Sequence, residues 1–150
     1  MTSRYILIAD DDPLLRDLVA MALRIEGHEI AAVADGREAL VSVRRRAPHL
    51  LILDANMPVL DGFAALRALK ADDATRHIPV LMLTGRRGQQ DVVTARALGA
   101  SDYVVKPFEA LALTSRATAL LSRGPIRRDA RSRTEARVKM APIDGREWID

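Results

Sequence analysis

The sequence predicts an α/β fold, a doubly wound parallel sheet of five strands with five helices on both faces. Short apolar segments alternate five times with segments of helical periodicity, and several of the apolar segments are unbroken. Unbroken apolar runs are typical of parallel strands covered on both faces. A repeated strand–helix order gives right-handed crossovers within one sheet. The predicted strands are Tyr5–Ala9, Glu29–Val33, Leu50–Leu53, Val80–Leu83 and Tyr103–Val105.

The helices between these strands carry start and stop signals. The first is predicted over Pro13–Glu26, because Asp12 can cap it, proline suits the first helical position and Gly27 follows the last turn. Gly99 ends the fourth helix in the same way, and the fifth is predicted from about Glu109 to Arg123. One apolar stripe of the first helix is expected to face the core. Its members are Leu14, Leu15, Leu18, Val19, Ala22 and Leu23.

Composition and charge narrow the class of protein. The chain has 23 basic residues (Lys and Arg) and 20 acidic residues (Asp and Glu). Residues 124–150 hold 7 of the basic and 5 of the acidic residues, so residues 1–123 hold 16 basic and 15 acidic residues. The nearly neutral body argues against direct nucleic-acid binding by residues 1–123. Cysteine is absent, so no disulfide or thiolate zinc site is possible. Neither a signal peptide nor a membrane-spanning run is recognised, and a cytoplasmic location is predicted.

The chain divides into a domain and a tail. Residues 1–123 hold the whole strand–helix pattern, whereas residues 124–150 are Arg-rich and weakly apolar. This second segment is interpreted as a C-terminal tail or linker, too short for a DNA-binding output domain. Its Trp148 is the only tryptophan, and a solvent-exposed environment is predicted for it.

Charged and hydroxyl side chains follow four of the predicted strands. Asp10–Asp12 follow the first, Asp54 the third, Thr84 the fourth and Lys106 the fifth. In a parallel sheet these positions share one edge. Two carboxylates about 4 Å apart repel by roughly 4 kcal/mol at an effective dielectric near 20. Lys106 can offset part of this repulsion, and Mg²⁺, which prefers oxygen ligands, can offset the rest.

Four segments in this order resemble the response-regulator receiver family over residues 4–123. They are ILIADDDPLLR, LILDANMPVLDG, VLMLTG and DYVVKPF. The resemblance implies a flavodoxin-like strand order 2-1-3-4-5 and a phosphoacceptor switch of a two-component or phosphorelay system. Such a protein promotes its own phosphoryl transfer and hydrolysis, and it is not an enzyme acting on other substrates.

The resemblance also implies a site. Asp54 would accept the phosphoryl group, and Asp10 and Asp11 would be the acidic pair, with Asp11 the more direct ligand of Mg²⁺. Asn56 would add its backbone carbonyl to the metal. Asp12 is interpreted as a helix cap rather than a ligand.

Three further residues are implied to couple phosphorylation to movement. Lys106 would pair with Asp54 and then with the phosphoryl oxygens, and Lys106–Pro107 is expected to be a cis peptide. Thr84 would donate its hydroxyl to the phosphoryl group, and Tyr103 would change rotamer. Gly85 departs from the alanine or other small residue usual in the family, and Arg86 lies where phosphoryl lifetime is tuned.

The resemblance names partner classes as well. It implies a sensor histidine kinase or histidine phosphotransfer protein as donor, and a downstream protein bound through the fourth helix, fifth strand and fifth helix. Asp102 and Arg116 are similar to one ion pair of the dimer that the transcription-factor branch builds there. Val92 and Ala112 stand where that dimer would need charges, so a monomer or weak dimer is predicted.

Two alternatives stay open. The chain could be the receiver fragment of a longer regulator whose DNA-binding or enzymatic output domain follows the tail. An aspartate-dependent phosphohydrolase would need a second acid two residues after Asp54, and position 56 is asparagine. Other polar residues are given structural roles. They are Asp61 at the start of the third helix, Arg44–Arg46 at the end of the second, and His28, His49 and His77.

Overall fold

Five strands and five helices alternate along the chain in a computed structural model that describes residues 3–85 and 89–123. The strands are β1 (Tyr5–Ala9), β2 (Glu29–Val33), β3 (Leu50–Asp54), β4 (Val80–Thr84) and β5 (Asp102–Val105). The helices are α1 (Pro13–Ile25), α2 (Gly36–Arg45), α3 (Gly62–Ala71), α4 (Gln89–Ala97) and α5 (Ala110–Ser122). All strand pairs are parallel, and the sheet order is β2-β1-β3-β4-β5. The predicted fold and strand order are confirmed.

The sheet has an apolar core on each face, because neighbouring residues of a strand point to opposite sides. Ile6 and Ile8 of β1 pack with α1 and α5, whereas Leu7 and Ala9 pack with the core that includes α2, α3 and α4. Both cores are built mainly from Leu, Ile, Val and Ala, and β1, β3 and β4 are buried along their whole length. These three strands therefore hold their ends in fixed positions relative to one another.

The helix ends follow the predicted signals. The Asp12 side chain accepts hydrogen bonds from the backbone N–H groups of Leu14 and Leu15, which confirms its capping role. Gly27 and Gly99 have φ of 93° and 99°, a left-handed conformation that costs glycine little. Asp61 likewise caps α3.

Parts of two helices face differently from the prediction. Val19 and Leu23 of α1 are buried as expected, but Leu14 and Leu18 of the predicted core stripe are exposed. Together with Met21 and Ile25 they form an exposed apolar row. On α4, Val92 is buried in the core and therefore does not occupy a surface position suited to a dimer contact.

Residues at the amino edge of the sheet, where the strands begin, are closely paired. Arg46 makes two hydrogen bonds of 2.7 and 2.9 Å to the Glu29 carboxylate and lies 3.9 Å from the centre of the Tyr5 ring. The Nδ1 atoms of His28 and His49 accept backbone N–H groups of Arg4 and Tyr5, which supports their structural roles. Glu29, Arg46 and the two histidines therefore all have polar partners at this edge.

Arg86 and the 124–150 tail with Trp148 fall outside the described residues. Asp102 and Arg116 form an ion pair of 2.8 Å within the chain. Among the described residues, none of the helices has the length and apolar character needed to cross a membrane.

Candidate functional site

The candidate site lies at the carboxyl edge of the sheet, where the parallel strands end. Asp10 directly follows β1, Asp54 and Thr84 are the last residues of β3 and β4, and Lys106 directly follows β5. Backbone hydrogen bonds from Ala55 to Leu83 (2.8 Å) and from Lys106 to Thr84 (2.7 Å) extend the pairing beyond the strands. The ladder therefore fixes the residues that carry the charged groups.

The Asp10 carboxylate is buried, with 1% of the residue exposed. One oxygen, Oδ1, accepts the backbone N–H of Asp12 at 2.9 Å, and the other, Oδ2, lies 3.2 Å from Lys106 Nζ. Its backbone carbonyl accepts a hydrogen bond of 2.9 Å from Arg16 Nη1. Asp10 is therefore held from three sides.

Asp54 is also buried, with 3% of the residue exposed. Its Oδ1 lies 3.3 Å from Lys106 Nζ and accepts the backbone N–H of Asn56 at 3.3 Å. Burial and the charge of Asp10 raise the pKa of Asp54 to about 6, although Lys106 opposes the shift. At neutral pH the carboxylate is therefore mostly ionised, but at a cost in free energy.

Lys106 is the cation of the described pocket that contacts two carboxylates. Burial disfavours its charged form, but Asp54 and Asp10 outweigh burial and raise the Lys106 pKa above its ordinary value. The ammonium group therefore stays charged at neutral pH. The Lys106–Pro107 peptide bond is cis, as expected.

The three carboxylates suit a hard divalent cation. One oxygen each of Asp10, Asp11 and Asp54 lies within 4.8 Å of the other two, and Asp11 is exposed where a cation can enter. Three carboxylates with one ammonium leave an excess negative charge, which Mg²⁺ with its oxygen ligands can neutralise. Asn56 lies beside Asp54 through its backbone N–H. The residues present therefore fit the metal.

The two residues implied in the switch have different surroundings. Thr84 is buried at the end of β4, at the same edge as Asp54. Tyr103 pairs with Met82 within the sheet and packs in the core on the α2–α4 side. Thr84 therefore lies at the edge of the pocket, whereas Tyr103 lies in the core beside β4.

Sequence reasoning missed two residues that shape the pocket. Arg16 donates a hydrogen bond to the Asp10 carbonyl. The signal available in the sequence was an arginine one helical turn after the capping Asp12, from where its side chain can reach the end of β1. At Gly62 a Cβ atom would come within 2.1 Å of the Asp54 carbonyl oxygen. Gly62 therefore lets α3 begin directly against the backbone of Asp54.

A flavodoxin-like sheet that carries an acidic pocket at its carboxyl edge, with a lysine between two buried aspartates, has the architecture of receiver-type signalling domains. The response regulator receiver domain family matches residues 6–118, and the chain belongs to this family.

Two relatives are named as a DNA-binding response regulator and a transcriptional regulatory protein. The DNA-binding response regulator MtrA of Mycolicibacterium smegmatis is 41% identical over 118 residues, which cover 79% of this chain and 50% of MtrA. The transcriptional regulatory protein PrrA of Mycobacterium tuberculosis is 42% identical over 123 residues, 82% of this chain and 52% of PrrA. The chain thus spans about half the length of the curated relatives it matches.

Solved structures share the fold over whole domains. A putative response regulator from Chloroflexus aurantiacus superposes with a TM-score of 0.77 at 31% identity, covering 81% of this chain and 99% of that one. The receiver domain of sensor histidine kinase PA1611 from Pseudomonas aeruginosa, with a magnesium ion coordinated in its active site cleft, gives 0.74 at 30% identity, with the same coverages. Receiver domains of this kind typically bind Mg²⁺ in an acidic pocket.

Proposed function

We propose that this chain is a phosphoacceptor switch that takes a phosphoryl group on Asp54 with the help of Mg²⁺. The observation that carries the proposal is the Asp54 carboxylate, buried beside Asp10 and 3.3 Å from Lys106 Nζ. Asp10, Asp11, Asp54 and the Asn56 carbonyl would hold the metal, which when bound neutralises charge on the phosphoryl oxygens.

The chain's own residues supply the rest of the chemistry. A carboxylate oxygen of Asp54 attacks phosphorus while the bond from phosphorus to the donor breaks, and the leaving group departs with the electron pair. Lys106, fixed by Asp10, offers its ammonium group to the phosphoryl oxygens from a preorganised position. Attack needs the ionised carboxylate, and a pKa of about 6 leaves most Asp54 side chains ionised at neutral pH.

Phosphorylation would then bias a two-state element. Thr84 lies at the end of β4, and its hydroxyl can donate a hydrogen bond to the new phosphoryl group. This hydrogen bond would draw the end of β4 toward Asp54 and so change the connection to α4. Tyr103, packed behind β4, would respond by changing rotamer. The signal would leave through the α4-β5-α5 face. The Asp102–Arg116 pair is satisfied within one chain, which favours a monomer or weak dimer.

The donor would be a sensor histidine kinase or a histidine phosphotransfer protein, and the setting would be the cytoplasm. The exposed apolar row of α1 supports a protein donor, because Leu14 lies in the first turn, two residues after Asp12, whose backbone N–H donates to the Asp10 carboxylate. A surface delivering a phosphoryl group to buried Asp54 would meet this row. Apolar residues grouped on an exposed face commonly mark protein contacts.

The decisive test uses acetyl phosphate and Mg²⁺ with a phosphate-affinity gel. Wild type should give one retarded band, and Asp54→Asn should give none. Asp61→Asn is the matched control, because Asp61 caps α3 at the same edge without entering the pocket, and it should keep the band. An undiminished band in Asp54→Asn would refute the assignment.

A second proposal concerns the rest of the protein. We propose residues 1–123 as the receiver unit and 124–150 as a tail or linker, so a chain truncated after Arg123 should still give the retarded band. The partial coverage of MtrA, named a DNA-binding response regulator, favours a longer regulator with an output domain after the tail. The length of the natural reading frame after Asp150 distinguishes this proposal from a receiver that works alone.

A further inference from the structure

The connection from β3 to α3, which carries Asn56, contains a strained turn. Val59 has a φ of 70°, in the left-handed region that a β-branched residue rarely adopts. The Leu60 N–H donates to the Pro58 carbonyl at 2.7 Å, which is the hydrogen bond of a γ-turn centred on Val59. The Val59 side chain is 75% exposed, so its own burial does not stabilise this conformation. Contacts of the neighbouring residues must therefore fix the turn.

The first residue of α2 provides one of these contacts. The Gly36 N–H donates to the Leu60 carbonyl at 3.0 Å. An N–H in the first turn of a helix has no partner within that helix, and the capping side chain of Asp35 accepts the N–H of Glu38 instead. At Gly36 an added Cβ would lie 2.2 Å from the Leu60 carbonyl oxygen. Any side chain at this position would therefore push the carbonyl away.

Other contacts fix the part of the connection next to Asp54. Met57 is buried in the apolar core to which α2 contributes. The Gly62 N–H donates to the Ala55 carbonyl at 3.0 Å and so closes the connection upon itself. Asn56 lies between these two points, and its N–H donates to Asp54 Oδ1. The path of the backbone at Asn56 therefore depends on how the rest of the connection is fixed.

We propose that Gly36 is a positioning residue of the metal site, which acts through the Leu60 carbonyl on the connection that carries Asn56. The inference rests on the proposed function, in which the Asn56 carbonyl is a ligand of Mg²⁺. Without the Gly36–Leu60 hydrogen bond, Val59 loses a constraint that keeps it left-handed and returns to an ordinary backbone conformation. The chain would then change direction at the turn, and the Asn56 carbonyl would no longer be held for the metal. Because coupling between two sites is reciprocal, Mg²⁺ would in turn stabilise the Gly36–Leu60 hydrogen bond.

Magnesium titration of the isotopically labelled full chain at pH 7, followed by the amide shifts of Asp11 and Asn56, tests the proposal. Gly36→Ala should bind Mg²⁺ about tenfold more weakly than wild type. Adding Val59→Gly to Gly36→Ala should restore most of the affinity, because glycine keeps a left-handed turn without the constraint.

Val43→Ala is the matched control, because Val43 is buried on the same helix, two turns from Gly36. It should destabilise the fold, yet its Mg²⁺ affinity should stay within about twofold of wild type. Wild-type affinity in Gly36→Ala, equal weakening in Val43→Ala, or a double variant as weak as Gly36→Ala would overturn this inference alone. A wild type without Mg²⁺-dependent shifts would refute the proposed function and this inference with it.

Amide hydrogen exchange of the wild-type chain tests the same coupling without any substitution. Saturating Mg²⁺ should slow exchange of the Gly36 amide by about tenfold. The Gly27 amide is the internal control, because it donates to Arg24 at 2.9 Å at the amino edge of the sheet. Its exchange should change by less than about twofold. An unchanged rate at Gly36, or equal slowing at Gly27, would overturn the proposal.

Discussion

The two edges of the sheet have opposite effects on the pKa of a carboxylate. At the carboxyl edge, burial and Asp10 raise the pKa of Asp54. At the amino edge, the hydrogen bonds from Arg46 lower the pKa of Glu29. The ionised form is thus disfavoured at one edge and favoured at the other. A carboxylate that the fold stabilises needs no ligand, whereas one that the fold destabilises is a candidate for binding and chemistry.

The largest expected effect comes from crowding the carboxyl edge. Gly62→Ala would place a Cβ 2.1 Å from the Asp54 carbonyl oxygen, a backbone atom that cannot move without disturbing β3. We expect a loss of about 3 kcal/mol or more in the free energy of unfolding. Urea unfolding followed by circular dichroism measures it.

Gly85→Ala is the matched control at the same edge. A Cβ at Gly85 meets nothing within 4 Å among the described residues, and its backbone is not left-handed. The free energy of unfolding should stay within about 0.5 kcal/mol of wild type. An equal loss in the free energy of unfolding of both variants would show that the close contact of Gly62 with Asp54 is not important for the pocket.

The next effect is a pH dependence of stability without metal. Because the folded pKa of Asp54 is raised from 3.8 to about 6, its protonated form is favoured by folding. The contribution of protonated Asp54 to the free energy of unfolding is fully present below pH 3.8 and is lost as pH rises through about 6. The expected loss is up to roughly 3 kcal/mol at neutral pH. Urea unfolding in EDTA between pH 4 and pH 7 measures it.

Asp54→Asn isolates this contribution, because asparagine does not titrate while the other carboxylates remain. The difference between wild type and variant should grow as pH rises from 4 to 7, with the variant more stable at pH 7. Mg²⁺ should restore stability to wild type and have less effect on the variant. A difference that stays constant with pH would contradict the raised pKa.

The smallest effect is expected at the amino edge. Arg46→Ala removes the pairing with Glu29 and the contact with the Tyr5 ring. Because this pair is exposed, the unfolding midpoint should fall only slightly. Mg²⁺ binding, followed by amide shifts in the pocket, should not change. Weaker Mg²⁺ binding in Arg46→Ala would mean that the two edges are coupled.

The sequence predicted the fold and the capping residues well, because apolar runs, Asp12 and Gly27 act locally. Which side of a helix faces the core was harder to predict. In α4 the adjacent Val92 and Val93 have similar propensities, and only packing decides that Val92 is buried while Val93 is 59% exposed. The closeness of Gly62 to Asp54 likewise depends on how α3 approaches β3. No local pattern encodes such a tertiary contact.

The phosphorylated residue itself can be located directly. The chain is treated with acetyl phosphate and Mg²⁺, reduced with borohydride, which converts an aspartyl phosphate to homoserine, and mapped by peptide mass spectrometry. We expect homoserine at position 54 alone, and none when EDTA replaces Mg²⁺. Homoserine at Asp10 or Asp11, or a product at Asp54 that is indifferent to EDTA, would contradict it.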